Sequence, residues 1–344
     1  MSDIRIAIDA MGGDKAPYEI VKGVVEASRA WPELTLVLVG NQDVISRELA
    51  KYNASPSEKL QVFHTSETIE MCEAPAQAVR TKRDSSINRG MELLRDKKVD
   101  AFLSAGSTGA MVAAAILIAR RSPAVKRPAI GTVFPTMGRP VLLLDAGANT
   151  DCGPTELEQF AIMGSIYSRA VLGNDNPEVG LLSIGGEDLK GNDVTKETLE
   201  KLRGNKFLNF RGNVEGHDLF EGKTDVVVCD GFVGNVVLKT IESEARAIVY
   251  MLKKAFTKNP LRILGALLLR GATKELKKTM DPEVYGGAPL LGVNGTVIIT
   301  HGASSHRAIY HAVRVAADCV RKGVAEKITG NLAELKKSHT DGLF

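Results

Sequence analysis

Ala101-Phe102-Leu103-Ser104-Ala105-Gly106-Ser107-Thr108-Gly109 leads directly into Ala110-Met111-Val112-Ala113-Ala114-Ala115-Ile116-Leu117-Ile118-Ala119-Arg120. The first part reads as a short buried strand closed by a small, polar, glycine-containing turn. The second is apolar on every side, so Gly109 to Arg120 is expected to be a buried helix. Its N-terminus would receive the Ser107-Thr108 turn, either as a plain cap or as an anion site made of exposed N–H groups.

The same strand, turn and helix pattern recurs along the chain. Ile4–Ile8 precedes Asp9-Ala10-Met11-Gly12-Gly13-Asp14. Val141–Leu144 precedes Asp145-Ala146-Gly147-Ala148-Asn149, and Val179–Leu182 precedes Ser183-Ile184-Gly185-Gly186-Glu187. Val226–Val228 precedes Asp230-Gly231-Phe232-Val233-Gly234-Asn235, and Val297–Ile299 precedes His301-Gly302-Ala303-Ser304-Ser305. Leu34–Val39 and Leu60–Phe63 read as further strands. Continuous apolar runs indicate strands buried on both faces, and alternation with helices indicates α/β architecture. Ligands in such sheets bind beyond the carboxyl ends of the strands. The 33 glycines among 344 residues, an excess over the usual ~7%, collect there. Tight turns need glycine in any case, but six polar turns of one kind point to one shared polar cleft.

Composition excludes several classes. With 44% apolar and 25% charged residues the chain is an ordinary globular one, read as a single large α/β domain over 1–344 with two lobes around a cleft. A net charge of +3 and 5% aromatics, with Trp31 alone of its kind, argue against nucleic acid as a partner. Cys72, Cys152, Cys229 and Cys319 form no CxxC pair, so a disulfide framework or zinc knuckle is not expected and a cytoplasmic setting fits. No signal-peptide pattern opens the chain, and the longest strongly apolar run, Met111 to Ala119, is too short to span a bilayer.

Familiar motifs fail. No GxGxxG follows a strand, and no GxSxG is present. Gly216 to Thr224 imitates a phosphate-binding loop with the wrong spacing and leads into a strand. His301, His306 and His311 recur every five residues, ~140° apart on a helix, so they do not share a metal-facing side. Neither a metal nor an organic cofactor is expected.

The block Ile8-Asp9-Ala10-Met11-Gly12-Gly13-Asp14-Lys15-Ala16-Pro17 closely resembles the N-terminal signature of the PlsX family, the acyl-ACP:phosphate acyltransferases of bacterial phospholipid synthesis. The likeness continues through Lys82-Arg83-Asp84-Ser85-Ser86-Ile87, the 104–110 and 145–149 turns, and Gly185-Gly186-Glu187-Asp188-Leu189-Lys190-Gly191-Asn192. It extends to Asp230–Asn235 and to Tyr285-Gly286-Gly287-Ala288-Pro289-Leu290-Leu291-Gly292. The resemblance implies a three-layer α/β/α fold similar to phosphotransacetylase and to isocitrate/isopropylmalate dehydrogenases. Spacing alone left a (β/α)8 barrel open. It further implies transfer of a fatty acyl group from acyl carrier protein to inorganic phosphate. A homodimer, peripheral attachment to the inner face of the cell membrane, and a downstream glycerol-3-phosphate acyltransferase that uses the product are implied as well. A coenzyme A-dependent phosphotransacylase and a non-catalytic lipid-synthesis scaffold are the alternatives.

Phosphate would be the nucleophile, so no acyl-enzyme residue is needed. Lys190 and Asn235, each just past a strand end, are the candidate catalytic groups; the bland readings are a solvated loop lysine and a helix cap. Ser107, Thr108 and Gly109 are the candidate phosphate-binding turn. Asp9, Asp14, Asp145, Asn149 and Asp230 are expected behind these groups, because a carboxylate beside phosphate would repel it. The segment 253–278 carries eight Lys or Arg and one acid, +7 in 26 residues, so the rest of the chain is mildly acidic. It is expected to protrude as a basic, apolar helical element, with Leu264, Leu267, Leu268 and Arg270 meeting an anionic membrane surface. A core or dimer-interface helix and a docking site for the acidic carrier protein are the other readings.

Overall fold

The computed structural model describes residues 3–279 and 282–341. The first half builds β1 (Arg5–Asp9), α1 (Tyr18–Ala30), β2 (Thr35–Gly40), α2 (Gln42–Ala50), β3 (Leu60–His64), α3 (Pro75–Thr81), α4 (Ser86–Arg95), β4 (Ala101–Ser104) and α5 (Thr108–Ala114). Next come β5 (Ala129–Phe134), β6 (Val141–Leu144), α6 (Pro154–Tyr167), β7 (Glu178–Leu182), α7 (Asp193–Gly204), β8 (Asn209–Val214) and β9 (Val226–Val228). The chain continues with α8 (Gly231–Phe256), α9 (Pro260–Leu268), α10 (Arg270–Thr279), β10 (Ala288–Leu291), β11 (Thr296–Ile299), α11 (His306–Arg321) and α12 (Val324–Asp341).

The eleven strands among the described residues join one sheet in the order β3-β2-β1-β4-β11-β10-β5-β6-β9-β7-β8. Side chains alternate across a strand, and here both faces are buried. Ile6, Ile8, Leu36, Leu38, Leu142 and Leu144 pack with α1, α2, α6, α11 and α12 on one face. Ala7, Val37, Val39 and Phe102 pack with α3, α4 and α5 on the other, where Leu143 and Val227 meet the first turns of α8. This is the three-layer α/β/α arrangement that the continuous apolar runs imply.

Three strands left unread in the sequence, β5, β8 and β10, complete the sheet. Two of them decide its geometry. β10 is antiparallel to both β11 and β5, and β5 is antiparallel to β6. The parallel block β3-β2-β1-β4-β11 therefore runs opposite to the parallel block β6-β9-β7-β8. The polar strand ends separate accordingly into two groups instead of the single set expected.

Local chemistry fixes several helix starts. Asn41 caps α2 by accepting from Asp43 and Val44 N–H, and Asn192 forms a reciprocal capping box with Thr195 at α7. The expected buried helix over 109–120 is corrected in its second half. After Ala114 the chain widens into a π-helical turn, Ala115–Ala119, which turns Ile116 (39% exposed) and Leu117 (46% exposed) outward. Arg120, at φ +69°, ends it.

The 253–278 segment occupies the end of α8, then α9 and α10. No residue of α9 is buried, and Leu261, Leu264, Leu267 and Leu268 are exposed. Leu276 to Lys278 lie where side chains are outside the described set. No described helix is long and apolar enough to cross a membrane.

Phe102 is fully buried at the centre of the second face. Phe102→Ala is expected to cost ~3–5 kcal/mol, read as a lower urea midpoint with little change in the slope of the unfolding transition.

Candidate active site

The turns after β6, β9 and β7 lie side by side, because those strands are neighbours in the sheet. The first is wound around one carboxylate. Asp145 is fully buried, and its Oδ1 accepts from the N–H groups of Ile130 (3.0 Å), Gly147 (3.1 Å) and Ala148 (3.0 Å). Its Oδ2 accepts from Asn149 N and Asn149 Nδ2, both at 2.8 Å. Burial pushes this carboxyl up from its ordinary range, and the bonds from Ala148, Ile130, Asn149 and Gly147 oppose that. Five N–H donors and no acceptor converge on it, an arrangement matched to the ionised form. Asn149 Nδ2 also donates to Pro128 O at 2.7 Å, tying the turn to the strand edge.

The second turn starts α8. Asp230 Oδ1 accepts from Val233 N at 2.9 Å and caps the helix, so Asn235 is not the cap. Gly231 N donates to Asn149 O at 2.7 Å. Gly234 lies so close to the Asp145 carbonyl that a Cβ there would overlap the oxygen. Gly147, at φ +134°, lies against the Asn235 side chain. Asn235 is exposed, and its amide makes no hydrogen bond among the described residues. The carboxylate thus shapes a turn, and the turn seats the helix that presents Asn235.

The third turn carries Lys190. Its N–H donates to Glu187 O at 3.0 Å, and Asn213 Nδ2 holds the same carbonyl at 3.0 Å. The Lys190 stem crosses over Gly185. Lys190 is exposed and has no ion pair among the described residues. Large apolar side chains stand open on these last two turns: Ile184 and Leu189 beside Lys190, and Phe232 and Val236 beside Asn235.

The other polar group lies at the ends of β1, β4 and β11. Buried Asp9 accepts from Met11 N (3.0 Å) and Gly12 N (3.1 Å) through Oδ1, and from Ser104 Oγ (2.6 Å) through Oδ2. Burial raises its pKa, against the bonds from Ser104, Ser86, Met11 and Gly12. Ser104 Oγ in turn accepts from Gly106 N at 2.9 Å. Asp14 is exposed, with its N–H on Gly302 O at 2.8 Å. Ser107 caps α5, its Oγ accepting a long bond from Ala110 N at 3.4 Å, and Thr108 and Gly109 are exposed. Among the described residues no hydrogen bond or ion pair joins Ser107–Gly109 to Lys190 or Asn235. Strand adjacency brings the turns of Asp145, Asn149, Asp230, Asn235 and Lys190 side by side, whereas Asp9, Asp14 and Ser107–Gly109 follow strands of the oppositely directed block. Asp9, Asp145 and Asp230 serve backbone amides directly.

His217, Asp218 and Glu221 bring potential metal-ligand atoms within 4.8 Å of one another beyond β8, but Glu221 is already paired with Lys223. Sequence reading did not single out Gly147, Gly234 or Phe232, although all lie inside the turns it quoted.

A family model described as "Fatty acid synthesis protein" matches residues 4–327. The phosphate acyltransferase of Halothermothrix orenii is 51% identical over 322 residues, covering 93% of this chain and 96% of the relative. The phosphate acyltransferase of Acidobacterium capsulatum is 48% identical over 334 residues, covering 97% and 98%. Among solved structures, a phosphotransacetylase from Streptococcus pyogenes superposes with a TM-score of 0.61 at 18% identity, covering 92% of this chain and 94% of that one. The EutD phosphotransacetylase from Staphylococcus aureus gives 0.58 at 16%, with the same coverage. The fold is thus shared with the phosphotransacetylases. The chain itself belongs to the fatty acid synthesis protein family, the PlsX acyltransferases.

Replacing the Asp145 carboxylate by an amide sets an –NH2 against converging N–H groups. Asp145→Asn is expected to lower stability by at least ~2 kcal/mol, measured by urea unfolding.

Proposed function

We propose that the protein transfers a fatty acyl group from the thioester of acyl carrier protein to inorganic phosphate, giving acyl phosphate for phospholipid synthesis. The observation that carries this reading is the pair of polar side chains, Lys190 and Asn235, without a hydrogen-bond or ion-pair partner among the described residues, on adjacent turns edged by exposed apolar groups. Phosphate and a thioester carbonyl need cationic and N–H donors; a fatty chain needs the apolar edge formed by Ile184, Leu189, Phe232 and Val236. Phosphate oxygen attacks the thioester carbon and forms the new C–O bond. The carbonyl oxygen takes the negative charge, and its collapse breaks the C–S bond. The departing thiolate is protonated by solvent. Lys190 offsets the charge of phosphate and oxyanion, and Asn235 donates to one of their oxygens. Ser107–Gly109 is the second phosphate candidate, presented by a different strand end.

Two cysteines beside the 145–149 turn, Cys152 and Cys229, are poor candidates for an acyl-enzyme thiol. Burial, with Asp145 next in weight, pushes the Cys152 thiol up to about 11, and burial carries Cys229 well above its ordinary value. Both are protonated at neutral pH, so neither is a ready acyl acceptor. Coenzyme A is the competing acyl carrier. The assay that decides offers phosphate with matched acyl-carrier and acyl-coenzyme A thioesters and detects acyl phosphate by mass.

The exposed arm of α9 and α10 is the proposed contact with an anionic membrane surface through Leu264, Leu267, Leu268 and Arg270. A homodimer, and an acyltransferase that passes the product to glycerol 3-phosphate, complete the proposal.

Lys190→Ala is expected to lower turnover at least ~10²-fold in a folded protein; near-normal turnover removes Lys190 from the mechanism. Leu267→Glu with Leu268→Glu is expected to abolish sedimentation with anionic vesicles while the oligomeric state stays the same. Retained vesicle binding places the anchor elsewhere.

A further inference from the structure

Between the π-helical turn and β5 the chain reads Arg120-Arg121-Ser122-Pro123-Ala124-Val125-Lys126-Arg127, four bases and no acid in eight residues. All four basic side chains are exposed. We propose that this basic strip, with the outward pair Ile116 and Leu117, is the surface on which the acidic acyl carrier protein docks. The inference rests on the reading of the carrier as acyl donor, and it names where that partner sits.

Three observations carry it. The strip is rigid: Ser122 N and Oγ bond Gly292 O (3.1 Å) and Val293 O (3.2 Å), and Asn294 holds Arg120 O (3.0 Å) and Arg121 O (3.2 Å). The bases therefore project from a fixed platform, Arg120 even at a positive φ that a non-glycine residue adopts at some cost. The strip is also under-neutralised. Lys126 has only a long contact to Glu156, 3.7 Å, and Arg120 and Arg121 have no acidic partner among the described residues. Arg121 turns to the carbonyls of Val125 and Lys126. Finally, the strip is continuous with the candidate site. Arg127 Nη1 reaches Asp151 O at 3.0 Å, and Pro128 O takes Asn149 Nδ2 from the turn that abuts Asn235.

The chemistry suits a folded acidic protein better than a lipid surface. Ile116 and Leu117 are only half exposed on a packed surface, whereas Leu267 and Leu268 stand out at 61% and 81% on an unburied helix. Apolar side chains beside exposed charges are the anatomy of a protein interface, and the charge governs encounter rate and salt dependence. A projecting apolar helix with bases is the anatomy of shallow membrane insertion.

The test uses the full chain with Arg120→Glu plus Lys126→Glu, and a milder pair, Arg120→Gln plus Arg121→Gln. Neither pair touches Lys190 or Asn235. Titration of unacylated carrier, without phosphate, is expected to show at least about tenfold weaker binding and a flatter salt dependence for the reversal. The KM for acyl carrier should rise with kcat kept, and turnover of a short acyl-pantetheine thioester should be unchanged. Unchanged carrier binding overturns the proposal. So does an equal loss with acyl-pantetheine, or an effect on vesicle binding or dimerisation in place of carrier binding. Because the titration needs no transfer, wild-type protein that binds carrier but forms no acyl phosphate contradicts the proposed reaction and leaves the docking result standing.

Discussion

Everything at the candidate site hangs on the Asp145 carboxylate. A buried charge is costly unless it is fully hydrogen-bonded, and here five N–H donors from Ile130, Gly147, Ala148 and Asn149 meet it. Satisfying the charge determines the path of the 145–149 turn. That path leaves Asn149 O free to take Gly231 N, and it brings the Asp145 carbonyl against Gly234. Helix α8 can begin only where these contacts allow, which sets Asn235. The carboxylate therefore acts as an organiser of backbone, placed behind the surface where a phosphate dianion would be repelled by it.

This division of labour suits a reaction whose nucleophile is the substrate. A protein that catalyses the proposed transfer would need no activated thiol or hydroxyl, and here burial raises the pKa of Cys229 and Cys319. It would need exposed donors on a rigid frame, and Lys190 and Asn235 are exposed donors on neighbouring turns. The reversal of the two parallel blocks by β10 and β5 gives the sheet two polar ends in place of one. It separates the group around Asp145 from the group around Asp9, each with its own buried aspartate capping a glycine turn.

Much of this was legible in the sequence. Unbroken apolar runs such as Val141–Leu144 and Ile4–Ile8 announce strands covered on both sides, and the polar turns after them mark the candidate functional ends. What the runs do not carry is direction. β10 includes a proline and follows a glycine pair, and β5 follows the basic strip; neither resembles its parallel neighbours, so the reversal they impose was invisible. Individual roles were equally hidden. Asp230 and Asn235 are both sound cap residues by type, and only the observed start of α8 shows that Asp230 takes the cap, leaving the Asn235 amide without a hydrogen bond among the described residues. The 109–120 segment misled because composition cannot show a π-helical widening, which turns two of its apolar side chains to solvent.

The most direct measurement is a mass-resolved transfer assay with purified protein, acyl carrier protein charged with a fatty acyl group, and 18O-labelled phosphate. Acyl phosphate is expected to form in step with free carrier thiol, dependent on phosphate and retaining the phosphate label in the product. Release of free fatty acid without acyl phosphate would contradict it, as would transfer from acyl-coenzyme A alone.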